Sequence, residues 1–172
     1  TINFVCGSGL RAVALAQQAV ALGAAEVVVA GGMESMSRAP HVLSEARFGY
    51  RLGHGTLYDT LVGDGLTCAL AGCHMGVTAE NVAVEYGVER AEQDAFALES
   101  QRRAAAAIEA GRFDAEIVPV SVSGRKGTLV VARDEHPRPE STAAGLAALR
   151  PVFAADGTVT AGNASGINDG AA

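Results

Sequence analysis

The first 32 residues carry the pattern that most restricts the fold. A short apolar run, Thr1 to Val5, leads through a turn into a helical stretch, Leu10 to Leu22. Then comes Glu26-Val27-Val28-Val29-Ala30-Gly31-Gly32. This last segment is a continuous β-branched run of strand length, the pattern of a strand covered on both faces. Strand, helix and strand in that order form a βαβ unit, which predicts a parallel sheet with a right-handed crossover. The helix is apolar on nearly every face (Leu10, Val13, Leu15, Val20, Leu22), which predicts burial inside a layered α/β fold, and Gly23 ends it.

Cys6 stands at the strand-to-helix turn, followed by Gly7-Ser8-Gly9. A nucleophile at such a bend is presented at a helix start, where unpaired N–H groups and the positive dipole end favour thiolate over thiol. Gly7 and Gly9 leave room for a substrate carbonyl to approach the backbone. Two other interpretations fit the same residues. A cysteine is most often a small buried hydrophobe. Alternatively, Gly7-Ser8-Gly9-Leu10-Arg11-Ala12 matches the glycine fingerprint of dinucleotide-binding folds, with Glu34 placed where a ribose-binding acid would stand.

With 49% apolar and 19% charged residues the chain is globular rather than disordered, and its 172 residues suffice for one ordinary domain. A net charge of -6 argues against nucleic acid or an anionic membrane as the main partner, and no apolar run has the length of a membrane span. Three cysteines (Cys6, Cys68, Cys73) without framework spacing suit a reducing cytoplasm. Residues 1–5 already read as strand, without initiator Met or signal peptide. Asp169-Gly170-Ala171-Ala172 reads as a turn entering a further element, so the chain is expected to be an excerpt of a longer protein.

Beyond Gly32, Met33 to Thr60 lacks a clear period and reads as a long functional loop. Thr78 is placed to cap a short helix to Tyr86, ended by Gly87, and a longer helix is predicted from Arg90 to Ala110, ended by Gly111. Ile117–Val122 and Thr128–Ala132 read as strands joined by Gly124-Arg125-Lys126-Gly127 in a hairpin turn. Arg133 to Ala144 reads as loop, and Thr158 to Ala161 as a returning strand. Cys68, Cys73 and His74 match no common zinc spacing, so no metal site is expected. His41, His54 and His136 read as solvated loop residues, and Arg125 and Lys126 as a solvated turn.

Five ordered stretches together resemble the thiolases. They are Asn3-Phe4-Val5-Cys6-Gly7-Ser8-Gly9-Leu10, Gly31-Gly32-Met33-Glu34-Ser35-Met36-Ser37, Asp64-Gly65-Leu66-Thr67, Cys73-His74-Met75-Gly76 and Gly162-Asn163-Ala164-Ser165-Gly166-Ile167-Asn168-Asp169-Gly170. The Cys-Gly-Ser-Gly form and the His74-Met75 pair resemble the biosynthetic, acetoacetyl-CoA branch. The resemblance displaces the dinucleotide interpretation, because the same glycines serve the nucleophile turn. It implies a layered αβαβα fold whose N-terminal half carries an inserted α+β loop domain. Residues 1–36 would be the core βαβ, 37–156 the loop domain, and 157–172 the return to the core sheet.

The resemblance also implies an acyltransferase that condenses two acetyl-CoA to acetoacetyl-CoA, and runs the reverse thiolysis, through an acyl group held on Cys6. A thiolate suits this work as nucleophile and leaving group, and the Cys6 backbone N–H would help hold the thioester oxyanion. Coenzyme A contacts carry over onto Leu66, His74, Met75, Arg138, Phe153, Ala164, Ser165 and Gly166. Met75 and Phe153 would pack on the pantetheine, Ser165 would touch the same arm, and Arg138 would lie near the adenosine. Gly145 stands where the family carries a serine near the adenine. Neither metal nor redox cofactor is implied; coenzyme A thioesters are the substrates, and the parent enzyme would be a homodimer or homotetramer. The family's second catalytic cysteine, its Gly-His-Pro histidine and its Asn-Glu-Ala-Phe asparagine have no counterpart in these residues. The segment alone is therefore not expected to complete a condensation. A longer-chain 3-ketoacyl-CoA thiolase and a catalytically silent CoA-binding module are the alternatives.

Overall fold

The structure, a computed structural model, describes residues 1–172. The chain divides into two compact units, Thr1–Met75 with Ile167–Ala172, and Gly76–Gly166. In chain order the first elements are α1 (Ser8–Ala21), β1 (Met33–Ser35), β2 (His41–Val42), β3 (Tyr58–Asp59), β4 (Thr67–Cys68) and β5 (Cys73–His74). There follow α2 (Met75–Tyr86), α3 (Arg90–Glu109), β6 (Val120–Gly124), β7 (Gly127–Val131), α4 (Ala143–Ala147) and β8 (Asp169–Ala171). None of the helices is long and apolar enough to cross a membrane.

The expected helix stops are built as expected. After α1, α2 and α3 the chain turns through Gly23, Gly87 and Gly111 at φ 69, 63 and 65. In each case the residue after the glycine donates its N–H back five positions: Ala24 to Ala19 O, Val88 to Ala83 O, and Arg112 to Ala107 O. This is the Schellman closure, which only a residue without Cβ adopts at no steric cost. The start of α3 carries a capping box that the sequence reading missed. Glu89 accepts from the backbone of Glu92, whose side chain accepts the Glu89 N–H at 2.9 Å.

In the first unit the expected parallel βαβ ladder does not form. Residues 1–5 make no strand, because Phe4 to Ser8 fold back into a tight turn. The Glu26–Gly32 run pairs only at its end, where Gly32 and Ala172 exchange N–H···O bonds of 2.9 and 3.0 Å. From there β1 continues antiparallel to β8, with Met33 opposite Ala171 and Ser35 opposite Asp169. Burial of α1 also fails. None of its residues is buried, Leu10 is 79% exposed, and Val29 in the β-branched run is 96% exposed. A strand needs a ladder partner and an apolar helix needs a surface to cover it, and these 172 residues supply neither.

In the second unit β6 and β7 form the expected hairpin, with Val120 opposite Val131 and Gly124 opposite Gly127. The expected strand Thr158–Ala161 is reduced to one bridge, Pro151 to Thr160, backed by Val152 N–H donating to Val159 O at 3.0 Å. Leu146 and Val159 are the buried apolar residues, and Thr160 beside them is 0% exposed. Much of the cohesion here is polar. The buried Glu80 carboxylate on α2 accepts the Thr158 N–H at 2.8 Å, the Val159 N–H at 2.9 Å and the Thr158 hydroxyl at 3.1 Å. Gln93 on α3 donates to Thr158 Oγ1 at 2.8 Å and to Val88 O at 3.1 Å. Segment 158–160 is thus clasped to two helices.

Burial pushes the Glu80 carboxyl up, but the hydrogen bonds from Thr158 and Val159 outweigh it and hold it below its usual range. A depressed folded-state value stabilises the fold above the ordinary carboxylate value and loses that contribution as pH falls through the depressed one. Urea unfolding followed by circular dichroism at a series of pH values should therefore show an acid-side loss of stability. Glu80→Gln should lower stability at neutral pH by about 1–3 kcal/mol, since donors that met the carboxylate lose an acceptor, and should flatten that acid-side loss. An unchanged acid limb in the variant would remove Glu80 as its source.

Candidate active site

The turn at Cys6, the candidate nucleophile, is held by a side chain. Ser8 Oγ accepts the Phe4 N–H at 2.7 Å and donates to Val5 O at 2.7 Å, spanning the residues on the N-terminal side of Cys6. Asn3 Oδ1 accepts the Val5 N–H at 2.9 Å, and the Gly7 N–H donates to Phe4 O at 3.0 Å. Val5 itself sits at φ 49, a left-handed conformation that a β-branched residue adopts only when its surroundings enforce it. Cys6 is exposed, its sulfur free. The helical ladder of α1 begins with the Arg11 N–H on Gly7 O at 2.9 Å, so the N–H groups of Gly9 and Leu10 stand ahead of it at the helix start. A Cβ on Gly7 would lie 3.1 Å from the Phe4 ring, a tight approach.

Three of the sequence motifs converge in this unit. A Cβ on Gly32 would lie 3.4 Å from the Gly9 Cα, and one on Gly31 would lie 2.8 Å from Ala172 O. The glycine pair therefore packs between the helix start and the β8 end of the chain. Asp169, which the sequence reading left without a role, ties the ladder to the turn after β1. Its carboxylate accepts the Ser37 hydroxyl at 2.5 Å and the Ser37 N–H at 2.9 Å. Those hydrogen bonds, led by the hydroxyl, hold the Asp169 carboxyl below its ordinary range despite partial desolvation. Nothing local in the sequence marks this pairing, because 132 residues separate the partners. Glu34 accepts the neighbouring Ser35 N–H at 2.9 Å.

The other candidate contacts fall in two groups. In the first unit a π-helical turn, Leu61–Leu66, delivers Leu66 to β4, and Thr67 pairs with His74. Met75 follows as the first residue of α2. Two stretches that the sequence separates, Leu66-Thr67 and His74-Met75, thereby become neighbours. Cys68 and Cys73 also face one another in this pair, both as free thiols.

In the second unit the Phe153 ring lies directly over Gly76, where a Cβ would clash with it. Arg138 is fastened into its loop. Its N–H donates to Gln101 Oε1 at 2.8 Å and its Nη1 to Glu135 O at 2.9 Å. Beside it opens a cavity of about 360 Å³ lined by Arg138, Ser141, Thr142, Gly145, Leu146, Ala161 and others. Ala161 was not singled out from the sequence. Gly145, the departure from the family pattern, donates its N–H to Thr142 Oγ1 at 3.0 Å and adds no side chain to this space. Ala164, Ser165 and Gly166 follow the turn that ends at Asn163.

Comparison with known proteins decides the family. A family model described as thiolase, N-terminal domain, matches residues 1–172. The chain belongs to the thiolase family. It is 64% identical to an acetyl-CoA acetyltransferase of Escherichia coli strain K12, over 100% of this chain and 44% of that protein. It is 61% identical to an acetyl-CoA acetyltransferase of Thiocystis violacea, again over 100% of this chain and 44% of the relative. The thiolase chain thus spans under half the length of these curated relatives. Among solved structures, acetyl-CoA acetyltransferase from Syntrophomonas wolfei superposes with a TM-score of 0.90 at 48% identity, covering 96% of this chain and 42% of that one. Human mitochondrial 3-ketoacyl-CoA thiolase superposes with a TM-score of 0.92 at 46% identity, covering 99% and 43%. The fold class is that of the thiolase α/β architecture. Membership of the thiolase family displaces the dinucleotide interpretation of the glycines after Cys6.

The Phe153–Gly76 contact gives a local test. Gly76→Ala should force the ring off α2 and lower stability by about 1–3 kcal/mol through overpacking. Urea unfolding would register this, and Phe153→Leu combined with Gly76→Ala should recover part of it. Tolerance of Gly76→Ala without cost would contradict the tight seat of the ring.

Proposed function

We propose that this chain is the nucleophile-bearing part of an acetyl-CoA C-acetyltransferase, condensing two acetyl-CoA to acetoacetyl-CoA and running the reverse thiolysis. The observation that carries the proposal is the exposed Cys6 in its Ser8-braced turn at the start of α1, in a chain 64% identical to an acetyl-CoA acetyltransferase. Cys6 Sγ, as thiolate, attacks the thioester carbonyl carbon; the C–S bond to coenzyme A breaks and the acyl group stays on Cys6. N–H groups at the turn and helix start are the donors suited to the oxyanion that develops on the carbonyl oxygen. Carbon–carbon bond formation then requires a base on the α-carbon of the second acyl-CoA, a task that no residue singled out here performs.

Coenzyme A would be contacted by Leu66, His74, Met75, Arg138, Phe153, Ala164, Ser165 and Gly166. Met75 and Phe153 would pack on the pantetheine and Ser165 would bond the same arm. The cavity beside Arg138, lined also by Glu140, Leu146 and Leu149, is the space at which an adenosine end would be sought. The proposal needs neither metal nor redox cofactor, and includes a cytoplasmic homodimer or homotetramer as the working form of the parent. The division into a core segment 1–36, a loop domain 37–156 and a return segment 157–172 belongs to the same proposal. A longer-chain 3-ketoacyl-CoA thiolase is the second reading, favoured by the likeness to the human mitochondrial enzyme of that name.

Peptide mass spectrometry of the full-length protein after incubation with acetyl-CoA tests the chemistry. The expected result is an acetyl group on Cys6 that free coenzyme A removes and that Cys6→Ala abolishes. Absence of acylation in the folded protein would sink the transferase reading and leave a CoA-binding module. Turnover of acetoacetyl-CoA against longer 3-ketoacyl-CoA thioesters separates the two thiolase readings. Met75→Ala and Ser165→Ala should each weaken coenzyme A binding.

A further inference from the structure

In the second unit a relay of side chains that are not among the proposed coenzyme A contacts ends at the residue preceding Ala164. Asn163 donates from Nδ2 to Asp94 Oδ1 at 3.0 Å and to Thr158 O at 3.1 Å, and its Oδ1 accepts the Thr160 N–H at 2.7 Å. Only one orientation of the amide serves these partners, because a carboxylate and a carbonyl need donors while an N–H needs an acceptor. Asp94, 7% exposed, turns its other oxygen to Arg90 Nε at 2.8 Å. Arg90 Nη2 in turn donates to Leu146 O at 2.6 Å and Leu149 O at 3.0 Å, the carbonyls at the end of α4. A Cβ on Gly162 would lie 2.5 Å from Leu146 and 2.6 Å from Leu149, so the turn before Asn163 is pressed onto the same helix.

The backbone alone holds this turn weakly, since the Asn163 N–H reaches Thr160 O only at 3.3 Å. Its direction of exit is therefore set by the Asn163 side chain. Ala164 and Gly166 carry no side chain able to anchor the next step. Leu146, Leu149 and Gly162 also line the cavity beside Arg138, so one polar relay fixes both the cavity wall and the segment leaving it.

We propose that Asp94 and Asn163, steadied by Arg90, are positioning residues that present Ala164-Ser165-Gly166 to the pantetheine arm of coenzyme A while touching no ligand themselves. This rests on the coenzyme A reading above. The relay acts through the geometry of Ser165, so its loss should weaken coenzyme A binding and leave the reactivity of Cys6 unchanged.

The test measures the Kd of coenzyme A by calorimetry, and the rate of Cys6 alkylation by iodoacetamide, on the full-length protein. Asn163→Asp sets two carboxylates against each other and should raise Kd by roughly tenfold, with alkylation unchanged. Should Asn163→Asp fail to fold, Asp94→Asn is the milder probe. On that background Ser165→Ala should cost clearly less affinity than in the wild type, because its contact is already misplaced. Unchanged Kd in Asn163→Asp, or full additivity of Asp94→Asn with Ser165→Ala, overturns the proposal. Wild-type protein that binds no coenzyme A overturns it together with the coenzyme A reading. Protein that binds coenzyme A without acylating Cys6 overturns only the transferase reading, and the Kd comparisons still decide the positioning role.

Discussion

The second unit depends on desolvated polar groups finding partners. Glu80, Gln93 and Asp94 project from α2 and α3, and the segment Thr158–Asn163 supplies N–H groups, a hydroxyl and an amide that meet them. With only Leu146 and Val159 as buried apolar residues, hydrophobic burial alone does not explain why this segment lies where it does. A buried carboxylate that loses its donors costs far more than an average hydrogen bond contributes. The clasp therefore acts as a register device: residues 158–163 fit it in one position, and the loop that follows inherits that position.

The first unit is organised by a different constraint. No residue in it is buried, and what order it has comes from short ladders, glycine contacts and the braced turn at Cys6. The Ser8 hydroxyl joins the Phe4 N–H to the Val5 carbonyl, and Val5 is held in a conformation its side chain disfavours. Holding Val5 in this conformation costs backbone strain, and a hydroxyl that both accepts and donates offsets it with two bonds from one atom. Gly32 stands within contact distance of Gly9 at the helix start, and Gly31 lies where a Cβ would press on the Ala172 carbonyl beside β8.

Legibility in the sequence followed the range of the interactions. Helix stops at Gly23, Gly87 and Gly111 and the Gly124–Gly127 hairpin were readable because a few consecutive residues determine them. The start of α2 was placed four residues late, with Thr78 as its cap, whereas the helix begins at Met75 directly from the end of β5. Strands at Thr1–Val5 and Glu26–Gly32 carried the right composition but lacked partners, and a β-branched run specifies a preference for a ladder without supplying one. Asp169, Asn163 and Glu80 were illegible as clasps, since their partners stand 132, 69 and 78 residues away.

By itself the sequence determined the family: a cysteine between a short apolar run and a helix, followed by glycines, in a chain whose ordered motifs mark a thiolase. Those features are local, and local sterics and chemistry are encoded residue by residue. Tertiary structure alone decided which polar groups leave water together, how Gly32 meets Gly9 and Gly31 meets Ala172, and how Asn163 joins Asp94 to Thr158 and Thr160. Such choices rest on chain segments far apart in sequence meeting in one place, where each buried donor must face an acceptor.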